Sequence, residues 1–235
     1  MQQLSNSKKV PALDARLAAA AAYVRQGCTA ADIGCDHGKL AVALAVKGQC
    51  RKIIAVDIRP APLASAQRLV AEHHCDNAVE CRLGAGLSVL RPGEADDVVI
   101  AGVSGITICE ILQDAPQGFY ESGKELHFIF VPATKHPALR RFLAQNGFHL
   151  LDETPVCAAG RCYTVMNAVY TGMPEVHDDL WEVCGCISHG AAAAEYLLHE
   201  ASLLKKEARG AENEEKERLQ ALAQKVEEEA QKCCS

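Results

Sequence analysis

Three features of the sequence predict an α/β fold followed by a helical tail. Up to about Tyr170, short β-rich runs alternate with helical stretches, a pattern typical of a parallel sheet covered by helices on both faces. Only residues 157–161 separate the last two β-rich runs, which indicates an antiparallel hairpin. From Asp178 to Lys232 the chain has no proline and is rich in Ala, Leu, Glu and Lys, which favours long helices.

The elements predicted for the first part follow in a regular order. An opening helix is expected from Leu13 to Val24, where apolar residues recur at helical spacing. Strands are predicted at 29–33, 52–57, 78–83, 97–101, 126–131, 150–156 and 162–170, and helices near 40–45, 62–72, 106–112 and 137–145. Parallel strands that end in an antiparallel hairpin are typical of the Rossmann-like sheet of class I methyltransferases, whereas a dehydrogenase sheet is parallel throughout.

The tail is predicted to form an αα-hairpin with coiled-coil character. Its two apolar stripes are Leu197, Leu198, Ala201 and Leu204, and Leu219, Leu222, Val226 and Ala230, with a turn expected at 209–213 between them. The charges of the tail are expected to form solvated helix faces. We therefore predict an α/β domain over residues 1–172 and a helical coiled-coil domain over residues 173–235.

The net charge of −6 is unevenly distributed along the chain. Residues 1–171 contain 17 Lys and Arg against 16 Asp and Glu, whereas residues 172–235 contain 7 against 14. A nucleic-acid partner would therefore have to be bound by local basic patches rather than by the field of the whole protein. No apolar run reaches the roughly 20 residues that span a bilayer, and the polar residues 1–9 lack the apolar middle of a secretory signal. We expect a cytoplasmic protein with no membrane partner.

Twelve cysteines occur, and none of them forms a Cys-x-x-Cys pair. This spacing disfavours a zinc ribbon or a thioredoxin-like site, and no metal is expected. Most of the cysteines lie in apolar stretches, so we expect them to be small, reduced core residues of a cytosolic protein. Cys233 and Cys234 are expected to be exposed thiols.

A turn with two glycines follows the first predicted strand and precedes a helix. Gly34 and Gly38 allow the backbone to turn sharply and to approach a ligand, and the first amide groups of the helix face the same place. Because residues 35–37 separate the two glycines, the turn is not a Gly-x-Gly-x-x-Gly fingerprint, which disfavours a nicotinamide dehydrogenase. A nucleoside cofactor with a sulfonium and a carboxylate tail fits this turn better than a pyrophosphate does.

Two acids frame the same turn. Asp32 precedes Gly34 and is expected near the amino group of the cofactor. Asp57 ends the next predicted strand, where an acid hydrogen-bonds ribose hydroxyls in nucleoside-binding enzymes. The alternative is that Asp57 caps the helix that begins near Pro60. Together, the turn and the two acids predict a nucleoside cofactor.

With these residues, the chain resembles the bacterial tRNA (adenine(22)-N1)-methyltransferase family. The family pattern Asp-Ile-Gly-x-Asp-His-x-x-Leu is matched by residues 32–40, and its Asp-His pair is unusual among Rossmann-like methyltransferases. Further matches cover almost the whole chain: Arg16-Leu17, Gly84, Gly86-Leu87, Ala101-Gly102, Gly105, Pro132, Gly160, Cys162 and Tyr163. The resemblance implies S-adenosylmethionine as cofactor, tRNA as partner, and cofactor contacts from Asp32, Gly34, Asp57, Ile58, Gly84, Ala85, Gly86, Ala101 and Gly102.

The resemblance implies transfer of a methyl group to N1 of a tRNA adenine. The enzyme would extrude the base, align N1 with the methyl group and exclude water. Because N1 becomes cationic as the bond forms, a nearby carboxylate would stabilise the transition state, and we expect Asp36 in that role. His37 would orient Asp36 or contact the substrate; the alternative is a local structural hydrogen bond.

Three segments depart from the family pattern. The family has Gly-Asp-Gly-Leu where this chain has Ala85 in place of Asp, and Ala85 cannot accept a hydrogen bond from the cofactor's adenine. Val103-Ser104 and Val131-Pro132-Ala133 replace Met-Gly and Gln-Pro-Asn, and Ser104 and Pro132 are expected beside the target base. A lost hydrogen-bond partner costs about 1–3 kcal/mol. The alternative function is therefore a catalytically weakened or retargeted module that binds cofactor and RNA.

Basic residues near the start and after the fifth predicted strand are expected to contact RNA phosphates. They are Lys8, Lys9, Arg16, Lys135, His136, Arg140 and Arg141. Residues 135–141 span about two helical turns, so their side chains could share one rim of the site. An ordinary solvated basic helix face is the alternative. The tail would brace tRNA or mediate self-association, and the sequence leaves open whether the protein is a monomer.

Overall fold

The structure is a computed structural model that describes residues 10–158, 160–187 and 190–233. The expectations for Lys8, Lys9 and Cys234 lie outside these residues. Within the described part of the chain, no helix is both long and apolar enough to cross a membrane.

Seven strands form a mixed sheet in the order β3-β2-β1-β4-β5-β7-β6. Their bounds are β1 Thr29–Ile33, β2 Lys52–Asp57, β3 Val79–Leu83, β4 Asp97–Ala101, β5 His127–Val131, β6 Phe148–Ala158 and β7 Arg161–Tyr170. The pairs β1–β2, β1–β4 and β2–β3 are parallel, whereas β7 is antiparallel to both β5 and β6. The predicted Rossmann-like sheet with a terminal antiparallel hairpin is confirmed.

The helices also lie where the sequence predicts them, with one addition. They are α1 Ala15–Tyr23, α2 Lys39–Val46, α3 Pro60–Glu72, α4 Gly105–Gln113, α5 His136–Gln145, α6 Asp179–Cys184, α7 Ala191–Ala208 and α8 Asn213–Lys232. Helix α1 begins at a conventional cap, because the Asp14 carboxylate accepts from the amides of Arg16 and Leu17. The short helix α6 was not expected. The predicted helical tail is confirmed, while its coiled-coil character stays a prediction.

The described residues group into two compact units. The first contains residues up to 101 together with 111–126, and its core is formed by strands β1, β2 and β4, which are almost wholly buried. The second contains 102–110 together with the residues from 127 onward. In this second unit, α7 and α8 pack against each other around a cluster that includes Tyr196, Leu222 and Val226. The domain boundary near residue 172 stays a prediction.

Two expectations for the cysteines are wrong. Cys157 and Cys162 lie directly opposite each other in the β6–β7 hairpin and are joined in a disulfide, because an antiparallel pair brings the two side chains together. Cys233 is half-buried against the apolar cluster of the tail rather than exposed. Five of the other cysteines are free and buried, as predicted: Cys28, Cys35, Cys50, Cys75 and Cys109.

Candidate functional site

The turn after β1 is fixed by its own backbone. The amides of Gly34 and Cys35 both donate to the carbonyl of Val56, and the amide of Gly38 donates to the carbonyl of Cys35, each at 2.8 Å. Gly34 and Gly38 have φ values of +74° and +71°, which favour glycine. A Cβ on Gly38 would overlap Ala66 of α3, whereas the space around Gly34 is open. The turn is therefore packed against α3 at Gly38 and has open space at Gly34.

Asp32 is the buried acid of this turn. Its carboxyl group is 4% exposed, and its Oδ2 has no hydrogen-bond partner among the described residues. Burial, against a backbone hydrogen bond from Ala41 and with a contribution from the negative charge of Asp57, raises the pKa of Asp32 to about 7. A buried carboxyl oxygen without a partner costs free energy, which a cationic ligand group would recover.

Asp57 has two structural hydrogen bonds. Its Oδ2 accepts from the amide of Asp36 at 3.0 Å, and its Oδ1 accepts from the amide of Arg59 at 2.9 Å. The second contact is to the amide of Arg59, which is itself the N-cap residue of α3, and no described side chain caps this helix, so the capping alternative for Asp57 is wrong. The first contact holds Asp36 in a left-handed conformation with a φ of +48°. Asp57 therefore shapes the turn that carries Asp36.

Asp36 points outward and lies near two basic side chains. Its side chain is 57% exposed, and its carboxylate lies 3.6 Å from His37 Nε2 and 3.6 Å from an Arg59 guanidinium nitrogen. Non-glycine residues with positive φ are uncommon and occur often at functional sites. Sequence reasoning missed Arg59, although its position two residues after Asp57 was a usable signal. The structure thus brings Asp36, His37 and Arg59 together on an accessible surface.

The residues at the ends of β2 and β3 form the rest of this edge in the first unit. Ile58 and Leu83 are exposed apolar side chains, at 65% and 56%. Ala85 is exposed as well, and a Cβ on Gly84 would collide with Val89. The loop after β3 is held by Arg82, which donates to Glu94 and to the carbonyl of Val89. These hydrogen bonds lower the pKa of Glu94 to about 2.

In the second unit, the loops after β4 and β5 are bonded to each other. The amides of Gly102, Ala133 and Gly105 donate to the carbonyls of Val131, Val103 and Thr134, at 2.8–2.9 Å. No Cβ fits at Gly105, because the carbonyl of Lys135 lies against it. Ser104 Oγ accepts from the amide of Ile106 at the start of α4, and Pro132 is buried. Ala101 is half-buried and Gly102 is exposed.

The expected phosphate contacts of Arg140 and His136 are wrong, because both side chains are buried. Arg140 is fully enclosed and bonds Glu153 through two nitrogens at 2.8 and 2.7 Å, and it donates to Tyr196. His136 lies 3.1 Å from Glu200 and 3.2 Å from the carbonyl of Pro132. Both residues therefore face the interior of the second unit rather than a ligand.

The other predicted RNA contacts remain accessible. Lys135 is exposed at the N-terminal cap of α5. Arg141 is half-exposed and pairs with Glu182 of α6. Arg16 is partly exposed and pairs with Asp14 at 2.9 Å. Of the basic rim expected over residues 135–141, only Lys135 and Arg141 are therefore accessible, and Arg141 is paired with Glu182.

A family model of a methyltransferase domain matches residues 13–166, which is more than half of the chain. The chain belongs to this methyltransferase family. The methyltransferase is also 29% identical over 227 residues to the tRNA (adenine(22)-N(1))-methyltransferase of Bacillus subtilis strain 168, which covers 92% of this chain and 94% of that relative. The resemblance inferred from the Asp-His turn is thereby confirmed.

Solved structures give the same result for the fold of the methyltransferase. A Streptococcus pneumoniae structure in complex with S-adenosyl-L-methionine superposes with a TM-score of 0.79 at 25% identity, covering 92% of this chain and 99% of that one. TrmK of M. capricolum in complex with S-adenosyl-homocysteine superposes with a TM-score of 0.77 at 21% identity, covering 93% and 98%. Because each match covers more than nine-tenths of this chain, the likeness extends into the helical tail.

Proposed function

We propose that this methyltransferase uses S-adenosylmethionine to methylate N1 of an adenine in tRNA. The observation that carries the proposal is the turn after β1, which combines the buried Asp32, whose Oδ2 has no hydrogen-bond partner among the described residues, with an exposed Asp36 that lies near His37 and Arg59. The similarity to a tRNA (adenine(22)-N(1))-methyltransferase, and to structures that contain S-adenosyl-L-methionine or S-adenosyl-homocysteine, supports it. A tRNA substrate also agrees with the cytoplasmic location predicted from the sequence.

The residues present fit the cofactor. Asp32 Oδ2 would accept a hydrogen bond from the amino group of the cofactor, and the open space around Gly34 would admit the cofactor's amino acid tail. Asp57 would bond the ribose with the lone pairs that its two backbone contacts leave. Ile58 and Leu83 offer apolar surface to the adenine ring. When bound, S-adenosylmethionine supplies a methyl group made electrophilic by its sulfonium.

Asp36 would act on the target base. Its carboxylate would accept a hydrogen bond from the adenine amino group and offset the positive charge that develops as N1 is methylated. Arg59 and His37, each 3.6 Å away, would hold the carboxylate in its outward direction. Ser104 and Pro132 would border the same base, as the resemblance implies. No proton has to leave N1 during the transfer, so the chain needs no general base.

Asp36→Asn tests this role. We expect unlabelled tRNA transcript and methyl-tritiated cofactor to give incorporation with the wild type, and a loss of roughly 100-fold in the variant with unchanged cofactor affinity. Asp76→Asn is the matched control, because Asp76 is an exposed acid in the turn before β3, at the opposite ends of the strands. Cofactor binding by a wild type that labels no RNA would favour the non-catalytic alternative suggested by Ala85 and Ala133.

A further inference from the structure

Two polar contacts join helices α5 and α7 in the interior, His136 with Glu200 and Arg140 with Tyr196. We call each contact a rung and the pair of them the ladder. His136 and Arg140 lie one turn apart on α5, and Tyr196 and Glu200 lie one turn apart on α7. His136 Nδ1 is 3.1 Å from Glu200 Oε1, and Arg140 donates to the Tyr196 hydroxyl at 3.0 Å. All four side chains are at most 5% exposed, so the ladder is shielded from solvent.

The two rungs differ in what lies beyond them. Arg140 continues into Glu153 of β6 and the carbonyls of Glu182 and Val183, so it ties packed elements together. His136 continues through Nε2 to the carbonyl of Pro132, at 3.2 Å, which belongs to the loop after β5. Only the His136 rung therefore connects the tail to a loop, among the described contacts of these four residues.

The loop after β5 cannot move independently of the loop after β4. Three backbone hydrogen bonds join residues 131–134 to residues 102–105, and the Lys135 carbonyl lies against Gly105. A shift of the Pro132 carbonyl would therefore move Ala133 and Val103 as well. Ser104 and Pro132, which border the target base in the proposed function, belong to these two loops.

The other end of the rung is also fixed. Glu200 follows Leu197 and precedes Ala201 on α7, and both of these apolar residues are buried in the cluster that α7 shares with α8. Among the described residues, His136 is the hydrogen-bond partner of the Glu200 carboxylate. The tail thus holds the Glu200 carboxylate in a fixed position next to His136.

We propose that Glu200 and His136 are positioning residues, through which the C-terminal helical tail sets the geometry of the two loops that hold the target base. The expected effect on catalysis rests on the proposed function. The effect of the His136 contacts on the position of the loop does not depend on it. Misplacement of a reacting group by about 1 Å can cost roughly 100-fold in rate, which gives a small loop displacement a measurable effect.

Two substitutions of Glu200 separate positioning from simple packing. Glutamine keeps a side-chain oxygen that can accept from His136 Nδ1, whereas leucine has a similar volume and accepts nothing. For Glu200→Leu we expect kcat on tRNA to fall roughly tenfold to 100-fold, with cofactor affinity unchanged. For Glu200→Gln we expect a loss of no more than about threefold.

Amide hydrogen exchange gives a readout that does not depend on activity. The amides of Ala133 and Gly105 should exchange faster in Glu200→Leu than in Glu200→Gln or the wild type, because they donate in the loop-to-loop hydrogen bonds. Equal kcat losses in the two variants, in step with their stability, together with unchanged exchange would overturn the inference. If the wild type methylates no RNA, the proposed function fails, and the exchange measurement alone then decides whether His136 holds the loop.

Discussion

Replacing Arg140 by methionine should lower the stability of the protein far more than replacing its neighbour Arg141. Arg140 is completely buried and donates five hydrogen bonds, to Glu153, Tyr196 and two main-chain carbonyls. Methionine fills much of the same volume but leaves the Glu153 carboxylate buried and without its cation. Removing one partner of such a pair typically costs about 3–5 kcal/mol. For a chain of this size, each kcal/mol lowers the melting temperature by about 2–4 °C, so we expect a drop of about 10 °C.

Arg141→Met is the matched control on the same helix. Arg141 is half-exposed, so solvent screens its ion pair with the buried Glu182 from one side, and we expect the loss of this pair to cost about 1 kcal/mol. Thermal unfolding followed by circular dichroism at pH 7 measures both variants. Adding Glu153→Leu to Arg140→Met removes the orphaned carboxylate and should recover part of the loss. Equal melting temperatures for the two single variants would refute the assignment of Arg140 to the interior network.

Three further outcomes follow from the site and the hairpin. The pKa of Asp32 is raised to about 7, from an unfolded value near 4, so its contribution to stability is present below about pH 4 and is lost as the pH rises through 7. Asp32→Asn should therefore gain in melting temperature relative to the wild type between pH 4 and 7.5; in calorimetry, cofactor affinity should rise over this range in the wild type only, and a flat wild-type profile would contradict the role of Asp32. Ala85→Asp should restore an acceptor for the cofactor's adenine amino group and tighten cofactor binding about fivefold, for a hydrogen bond of about 1 kcal/mol; weaker binding would show that the adenine lies elsewhere. Cys157→Ser should cost about 2 kcal/mol in the oxidised protein, for a loop closed across a separation of 5 residues, and nothing in excess reductant; equal denaturant midpoints under both conditions would argue against the disulfide.

The sequence was sufficient for the sheet and for the turn after β1 because both depend on local patterns. Apolar runs bounded by turn residues placed all seven strands to within two residues at each end, and the spacing of Gly34 and Gly38 located the ligand-facing turn. Asp36 and Arg59 come together because the ends of β1 and β2 are neighbours in a parallel sheet. The sequence does not show the hydrogen bond from the Asp36 amide to Asp57, although it is this contact that shapes the turn.

Helix α5 shows where the sequence falls short. Its buried positions are His136, Leu139, Arg140, Leu143 and Ala144, which follow the spacing of a single helical face. The spacing places His136 and Arg140 on the same face as the apolar residues. Because the sequence shows no acidic partner for these two basic side chains, it suggested that they lie at the surface. The partners, Glu153 and Glu200, lie on other elements, 13 and 64 residues away in the chain. Helix α6 escaped prediction for a different reason, because 6 residues are too few for a periodic pattern.

The central claim is tested most directly by the identity of the methylated nucleoside. Wild-type protein would be incubated with S-adenosylmethionine and a tRNA transcript that carries no modifications, and the RNA would be digested and separated by chromatography coupled to mass spectrometry. We predict 1-methyladenosine as the product, lost in Asp36→Asn. Methylation of another base or of the adenine amino group, or no methylated nucleoside at all while the cofactor still binds, would contradict the proposal.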